Sequence, residues 1–220
     1  MMRIYLAKDL LSANKSDADS VRSILLENNM LMINLIGSPG SGKTSLLEST
    51  FKNLTQHKKV VIEGDLFTAE DAERLVPYCD KVIQINTEGD CHLLAGQISQ
   101  LIIQDQLIFA DLLVVENIGN LVCPADFDLG EDIRVTVISV TEGNDKPRKY
   151  PLAFKNASAV IITKTDLLPY CDFSVSRAEE DLHRINPDLK IFTLSTYNNV
   201  GMTEWIQWLT GQIKLKSGSV

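Results

Sequence analysis

The sequence predicts an α/β fold, a mostly parallel central sheet of about seven strands flanked by helices. Three observations predict it. Short runs rich in Val, Ile and Leu alternate with amphipathic stretches, the pattern of parallel βαβ units. The runs are apolar throughout rather than at every second residue, as in strands buried on both faces. The first run, Met32–Ile36, leads directly into Gly37-Ser38-Pro39-Gly40-Ser41-Gly42-Lys43-Thr44 and then a helix-like segment from Ser45. A strand that delivers a glycine-rich loop to a helix N-terminus cradles an anion with backbone N–H groups and a favourable dipole.

Taken in order, residues 1–30 read as a helical leader and 31–220 as one globular domain. In the leader, Val21, Ile24, Leu25 and Leu26 fall at roughly helical spacing over Asp17–Asn29, with Ser16 as the expected cap. Strands are expected at Met32–Ile36, Val60–Glu63, Lys81–Ile85, Leu112–Glu116, Val135–Val140, Ala159–Thr163 and Lys190–Leu194. Helical stretches are expected at Leu93–Phe109 and Ser174–Asn186. A last helix from Gly201 to about Ile213 places Trp205, Trp208 and Leu209 on one side, as core. The loop after the first strand makes this a P-loop NTPase. Gly37, Gly40, Ser41, Gly42, Lys43, Thr44 and Ser45 are its expected nucleotide contacts, with Lys43 reaching the β- and γ-phosphates and Thr44 on Mg²⁺.

Composition narrows the function. At 220 residues and 45% hydrophobic the chain supports one substantial core. With Lys+Arg at 21 against Asp+Glu at 29, the net charge of -8 and the lack of a basic cluster disfavour a nucleic-acid partner. Met1–Leu6 lacks the apolar core of a signal peptide, and no run approaches the roughly 18 apolar residues of a membrane span. A soluble, cytoplasmic protein with no membrane partner is expected. Cys79, Cys91, Cys123 and Cys171 are scattered, as free thiols or metal ligands are in a reducing compartment.

Ligands of open α/β sheets bind beyond the carboxyl ends of the strands. Glu63-Gly64-Asp65 follows Val60-Val61-Ile62, and Glu116-Asn117-Ile118-Gly119-Asn120 follows Leu112–Val115. Acidic groups capping buried strands are costly without a partner, and Mg²⁺ with its waters supplies one. Asp65 and Glu116 are therefore assigned to the metal and water shell, either one orienting the attacking water; the competing role for Asp65 is a helix cap. After Ile161-Ile162 comes Thr163-Lys164-Thr165-Asp166, close to the Asn-Lys-x-Asp guanine motif. The Asp166 carboxylate accepts from the ring N–H and exocyclic amine of guanine, a donor pair that adenine lacks on that edge. The Lys164 stem is expected along the ring, and Ser195 is expected to contact guanine by backbone or hydroxyl. No water-positioning Gln follows Glu116, so unassisted hydrolysis is expected at roughly 10⁻⁴–10⁻² s⁻¹.

A second group lies on the same rim: Cys91-His92 after the third strand and Cys123-Pro124 after the fourth. Thiolate and imidazole suit zinc and nickel, but three residues leave a four-coordinate ion one ligand short, to be supplied by water or a second subunit. By residue type alone, two buried hydrophobe-like cysteines and a helix-capping His are the better account of these positions. Cys79 and Cys171 have no companion ligand nearby and read as structural; His57 and His183 read as surface residues.

Glu63-Gly64-Asp65, Thr87 through His92, Glu116 through Pro124 and Ser139 through Pro147 together resemble the nickel-incorporation GTPases of [NiFe]-hydrogenase maturation, the HypB family. The resemblance runs from about residue 30 to the C-terminus. It implies that Cys91, His92 and Cys123 form a nickel or zinc site at a dimer interface, and that Asp145 and Lys146 help hold the guanine or the dimer. It further implies GTP/GDP-linked homodimerisation, a HypA-type metallochaperone as partner, and nickel passed to a hydrogenase large-subunit precursor. Some members carry an N-terminal Cys-rich or His-rich nickel tract; here no Cys precedes Cys79 and there are three His in all. The urease nickel GTPase resembles the chain at the phosphate loop but carries a Cys-Pro-His tripeptide, where this chain has Cys123-Pro124-Ala125. Three alternatives remain beside a metal-delivery switch: a metal-stapled GTP-binding dimer without transfer, a urease-type GTPase, and a small-molecule kinase, against which the guanine motif and the lack of an Arg-rich lid count. Lys43→Ala is expected to abolish GTP binding in a titration while the melting curve stays cooperative; native GTP affinity in that variant refutes the phosphate-loop assignment.

Overall fold

Each of the seven apolar runs becomes a strand in the computed structural model, which describes residues 7–65, 70–87 and 89–218. The strands are β1 (Leu31–Gly37), β2 (Lys59–Asp65), β3 (Lys81–Asn86), β4 (Leu112–Glu116), β5 (Ile133–Ser139), β6 (Ala159–Thr163) and β7 (Lys190–Thr193). They form one sheet in the order β3-β2-β4-β1-β5-β6-β7. Every pairing is parallel, so the expected mostly parallel sheet is wholly so among the described residues. The helices are α1 (Ala7–Glu27), α2 (Lys43–Asn53), α3 (Glu70–Leu75), α4 (Ala95–Gln104), α5 (Cys123–Asp126), α6 (Lys146–Lys149), α7 (Pro151–Lys155), α8 (Val175–Ile185) and α9 (Met202–Ser217).

Alternate residues of the central strand enter different cores, which is why its sequence is apolar throughout. Leu31, Ile33 and Leu35 of β1 pack under α2 and α9 with Leu46, Phe51, Trp205 and Leu209. Met32 faces the opposite side, in a core with Val21 and Leu25 of α1 and Ile98 and Ile102 of α4. Ile36 joins a third core with Phe154 of α7 and Leu182 of α8. The expected Trp face of the last helix holds: Trp205 and Leu209 are buried, Trp208 packs beside them, and the Trp205 indole N–H donates to Thr50 Oγ1 at 2.9 Å. Cys79 and Cys171 lie at the edges of two cores, and burial pushes the Cys79 thiol up to about 12. His183 is exposed on α8, whereas His57 is half-buried in the turn after α2, 3.8 Å from Asp111.

Three helix boundaries differ from expectation. Helix α1 begins at Ala7, so Ser16 is not its cap; it lies within the helix, and its carbonyl accepts the Ser20 hydroxyl at 3.1 Å. The stretch expected to be helical over Leu93–Phe109 stops at Gln104, because Gln106 takes a left-handed conformation (φ 52) before a single 3₁₀ turn at Leu107–Phe109. Helix α9 runs on to Ser217 and ends at Gly218, whose φ of 66 closes a left-handed cap. Helix α8 begins within the expected stretch, and Ser174 caps it: its Oγ accepts from Arg177 N at 3.3 Å.

Besides its apolar contacts and the Arg22–Asp128 ion pair, helix α1 is tied to the domain by a buried amide. Asn14 Nδ2 donates to Asp128 O at 2.7 Å, and its Oδ1 accepts Ala95 N–H at 2.9 Å, satisfying an orphan donor of the first turn of α4. Asn14→Ala leaves both backbone groups without that partner. A loss of about 1–3 kcal/mol is expected in urea unfolding; an unchanged midpoint means that the bridge contributes nothing.

Candidate functional site

Because the strands are parallel, their carboxyl ends share one rim, and β1 delivers its loop to the middle of it. Gly40 and Gly42 hold φ of 72 and 94, backbone that L side chains rarely adopt, and this turns the loop into the N-terminus of α2. Lys43 is buried, with Nζ 3.4 Å from Gly37 O. The loop is braced from the guanine motif: Thr163 Oγ1 donates to Ser41 O at 2.6 Å, and Lys164 Nζ to Gly40 O at 2.6 Å. Lys164 itself sits at φ 58, a strained position of the sort that collects at ligand sites.

The cleft beside the loop measures about 510 Å³ and is lined by Lys43, Thr44, Ser45, Glu63, Asp71, Arg74, Glu116 and Lys164 among others. Thr44 Oγ1 donates to Glu116 Oε1 at 2.8 Å, while Glu116 Oε2 is buried without a hydrogen-bond partner. Burial pushes the Glu116 carboxyl up to about 7, opposed by the Lys43 charge and the Thr44 hydrogen bond. An orphaned carboxylate oxygen beside a hydroxyl suits a hard cation such as Mg²⁺. The Asp65 backbone ends β2 beside this cleft, and its side chain lies outside the described part of the structure. Two cleft residues were not expected from the sequence. Arg74 of α3 donates to Ser45 Oγ at 3.0 Å and Glu48 Oε2 at 3.1 Å, and is held by Asp71 at 3.0 Å. No motif marks either residue; only the docking of α3 on α2 brings them in.

After β7, Ser195 is fully buried and its hydroxyl donates to Asp166 Oδ1. Its backbone N–H is already given to Val200 O at 2.9 Å. Ser195 therefore orients the Asp166 carboxylate, a role that was not expected of it.

Cys91, His92 and Cys123 lie on the same rim. Cys91 Sγ is 3.6 Å from His92 Nδ1, and contact with the Cys123 thiol, followed by burial, raises the Cys91 pKa above its ordinary value. Burial lowers the pKa of His92, with Asp90 opposing, so its imidazole is neutral and its lone pair available at neutral pH. The contacts are pairwise: among the described residues no group of three or more His, Cys, Asp or Glu side chains gathers as a metal cage would. Glu88, within the motif, lies outside the described residues.

The two regions are in mechanical contact. A Cβ on Gly119 would lie 2.9 Å from Pro39 Cγ and 3.1 Å from Pro39 N, so the segment after Glu116 rests directly on the phosphate loop. Gly37 bridges to Asn120, three residues before Cys123. Leu93, next to His92, packs against Gly64 and, through it, the end of β2.

Residues 31–193 match the family model described as CobW/HypB/UreG, nucleotide-binding domain. The chain is 41% identical over 210 residues to the hydrogenase maturation factor HypB of Azotobacter chroococcum mcd 1, covering 95% of this chain and 69% of that protein. It superposes on the crystal structure of HypB from Archaeoglobus fulgidus with a TM-score of 0.87 at 37% identity, covering 92% of this chain and 100% of that one. For HypB from Helicobacter pylori in complex with nickel the TM-score is 0.86 at 34% identity, over 93% and 97% of the two chains.

Glu116 makes folding stability pH-dependent. Its carboxyl goes from an ordinary 4.5 to about 7 in the fold, so between those values the folded state holds a proton that the unfolded chain releases. The resulting stability is fully present below 4.5 and lost as pH rises through about 7, a change of about 3 kcal/mol. Removing the titrating group with Glu116→Gln is expected to flatten melting temperature against pH over this interval in metal- and nucleotide-free protein. An unaltered slope in the variant counts against this account of Glu116.

Proposed function

Because the chain belongs to the CobW/HypB/UreG family, within it to the HypB hydrogenase maturation factors, we propose that it is a GTP-hydrolysing carrier that binds nickel or zinc and delivers nickel for [NiFe]-hydrogenase maturation under nucleotide control. The observation that carries this reading is the physical continuity of the two sites: the segment from Glu116 to Cys123 rests on the phosphate loop at Gly119 and Asn120. A nickel complex of the Helicobacter pylori relative supports the choice of cargo.

In this proposal the backbone N–H groups of Gly40, Gly42 and Ser45 cradle the phosphates, with Ser41, whose N–H is given to Ser38 O at 3.1 Å, shaping the turn, and Lys43 neutralises charge on the β- and γ-phosphates. Mg²⁺, when bound, would offset the charge that develops on the phosphate oxygens. Thr44, Glu116 and Asp65 supply its protein-side oxygens, with Glu116 or Asp65 orienting the attacking water. Asp166, oriented by Ser195, reads guanine. The Asn117 amide is held in the fold, its Nδ2 donating to Asn34 Oδ1 at 3.1 Å and its Oδ1 accepting from Ile118 N at 3.0 Å. Slow intrinsic hydrolysis is expected because no water-positioning Gln follows Glu116.

The metal ligands are Cys91, His92 and Cys123, and a second copy of the chain completes the coordination in a homodimer. A HypA-type metallochaperone and a hydrogenase large-subunit precursor in the cytoplasm complete the pathway. The expected organisation, a leader over 1–30 and a GTPase domain over 31–220, belongs to the same proposal, with α1 packed against α4. Among the described residues no helix is long and apolar enough to cross a membrane.

Transfer requires that the two nucleotide states differ in metal affinity, since a cargo held equally in both is not moved. Nickel titrations with GDP and with a non-hydrolysable GTP analogue are expected to give different affinity or stoichiometry, and Cys123→Ser to erase the difference. Coincident curves favour a metal-stapled dimer instead.

A further inference from the structure

The half-buried ring of Phe127 belongs to none of the three apolar cores. It lies instead flat against His92, with ring centroids 3.8 Å apart and planes inclined by 21°. The stacked imidazole turns Nδ1 toward Cys91 Sγ, 3.6 Å away. An ion at about 2.0–2.1 Å from nitrogen and about 2.3 Å from sulfur, at a tetrahedral angle, holds those two atoms about 3.5–3.6 Å apart. The pair, here at thiol–imidazole hydrogen-bond distance, is therefore already at a separation that a shared tetrahedral ion fits.

Phe127 is itself held. Arg134 Nη1 donates to Ala125 O and Nη2 to Phe127 O, both at 2.9 Å, while Nε binds Glu131 Oε1 at 2.7 Å. The guanidinium thus fixes the backbone of the segment that begins at Cys123. On the other side of the ring pair, Asn14 ties Asp128 to Ala95, joining the segment after Phe127 to the segment after His92.

We propose that Phe127 is a positioning residue for the metal cargo: its ring fixes the His92 imidazole with Nδ1 as the ligating nitrogen, beside the Cys91 thiol. The inference rests on the reading of Cys91, His92 and Cys123 as the metal site. A free imidazole loses rotamer freedom when an ion captures it, and a ring already stacked has less to lose. Partners that orient a ligating His are worth about 10–100-fold in metal affinity.

The test is a competition titration of nickel(II) against a chromophoric chelator, with the full-length chain and GDP present. Phe127→Leu removes the flat ring and is expected to weaken nickel binding at least about 10-fold, while Phe127→Tyr keeps native affinity. In a His92→Ala background, Phe127→Leu is expected to cost nothing further, because the ring acts only through the imidazole. Native affinity in Phe127→Leu overturns the proposal, as does an equal loss with and without His92. In metal-free native protein the His92 ring protons are expected to be shifted upfield in NMR by the neighbouring ring. Unshifted protons also overturn it, and this readout stands even if the Leu variant fails to fold. Native nickel affinity in both Cys91→Ser and His92→Ala means that the metal-site reading has failed; if those variants lose nickel and Phe127→Leu does not, only the role of Phe127 has failed.

Discussion

The seating of β1 is the constraint on which the rest of the molecule depends. It is paired on both edges, with β4 and β5, and buried along its whole length. Its last residue meets β5 so closely that a Cβ on Gly37 would stand 2.5 Å from Val137 O. The phosphate loop therefore leaves the sheet at one place and in one direction. Thr163, the last residue of β6 two strands away, and Lys164 just after it hold its carbonyls. With those carbonyls occupied, the loop runs into the N-terminus of α2, a favourable end for an anion.

Beneath the rim, a buried polar network connects what the apolar cores keep apart. Asn34 of β1 accepts from Asn117 and donates to Glu131, which in turn pairs with Arg134; both members of that pair are nearly inaccessible to solvent. Such a pair adds little net stability over an apolar equivalent, but losing either member strands the other. Its value here is geometric. It registers the segment after Glu116 against the segment after Cys123, and hence the nucleotide cleft against the Cys91–Phe127 region. The rigid part of the molecule is thus the shared floor, and the loops above it can respond to a ligand without losing their relation to one another.

Local chemistry made much of this visible in the chain itself. The seven strands, the phosphate loop and the Thr163–Asp166 motif are each carried by residues within a few positions of one another. Pleat, glycine conformation and strand-end placement act over that range. Helix ends were less legible. Ser16 has the chemistry of a cap, yet the helix continues through it from Ala7. The break at Gln106 carries no Gly or Pro to announce it.

By itself, then, the sequence determined a parallel α/β sheet and a phosphate loop on its first strand, and it offered Asp166 as the carboxylate to read guanine. It also carried the resemblance that singled out Cys91, His92 and Cys123. Only the tertiary structure decided that Ser195 serves Asp166, that Arg74 reaches Ser45, that Asn14 bridges Asp128 to Ala95, and that Phe127 lies on His92. The physical reason is the same in each case. These contacts join residues far apart in sequence whose types are common and individually unremarked, and their meeting depends on how whole elements dock rather than on any local pattern.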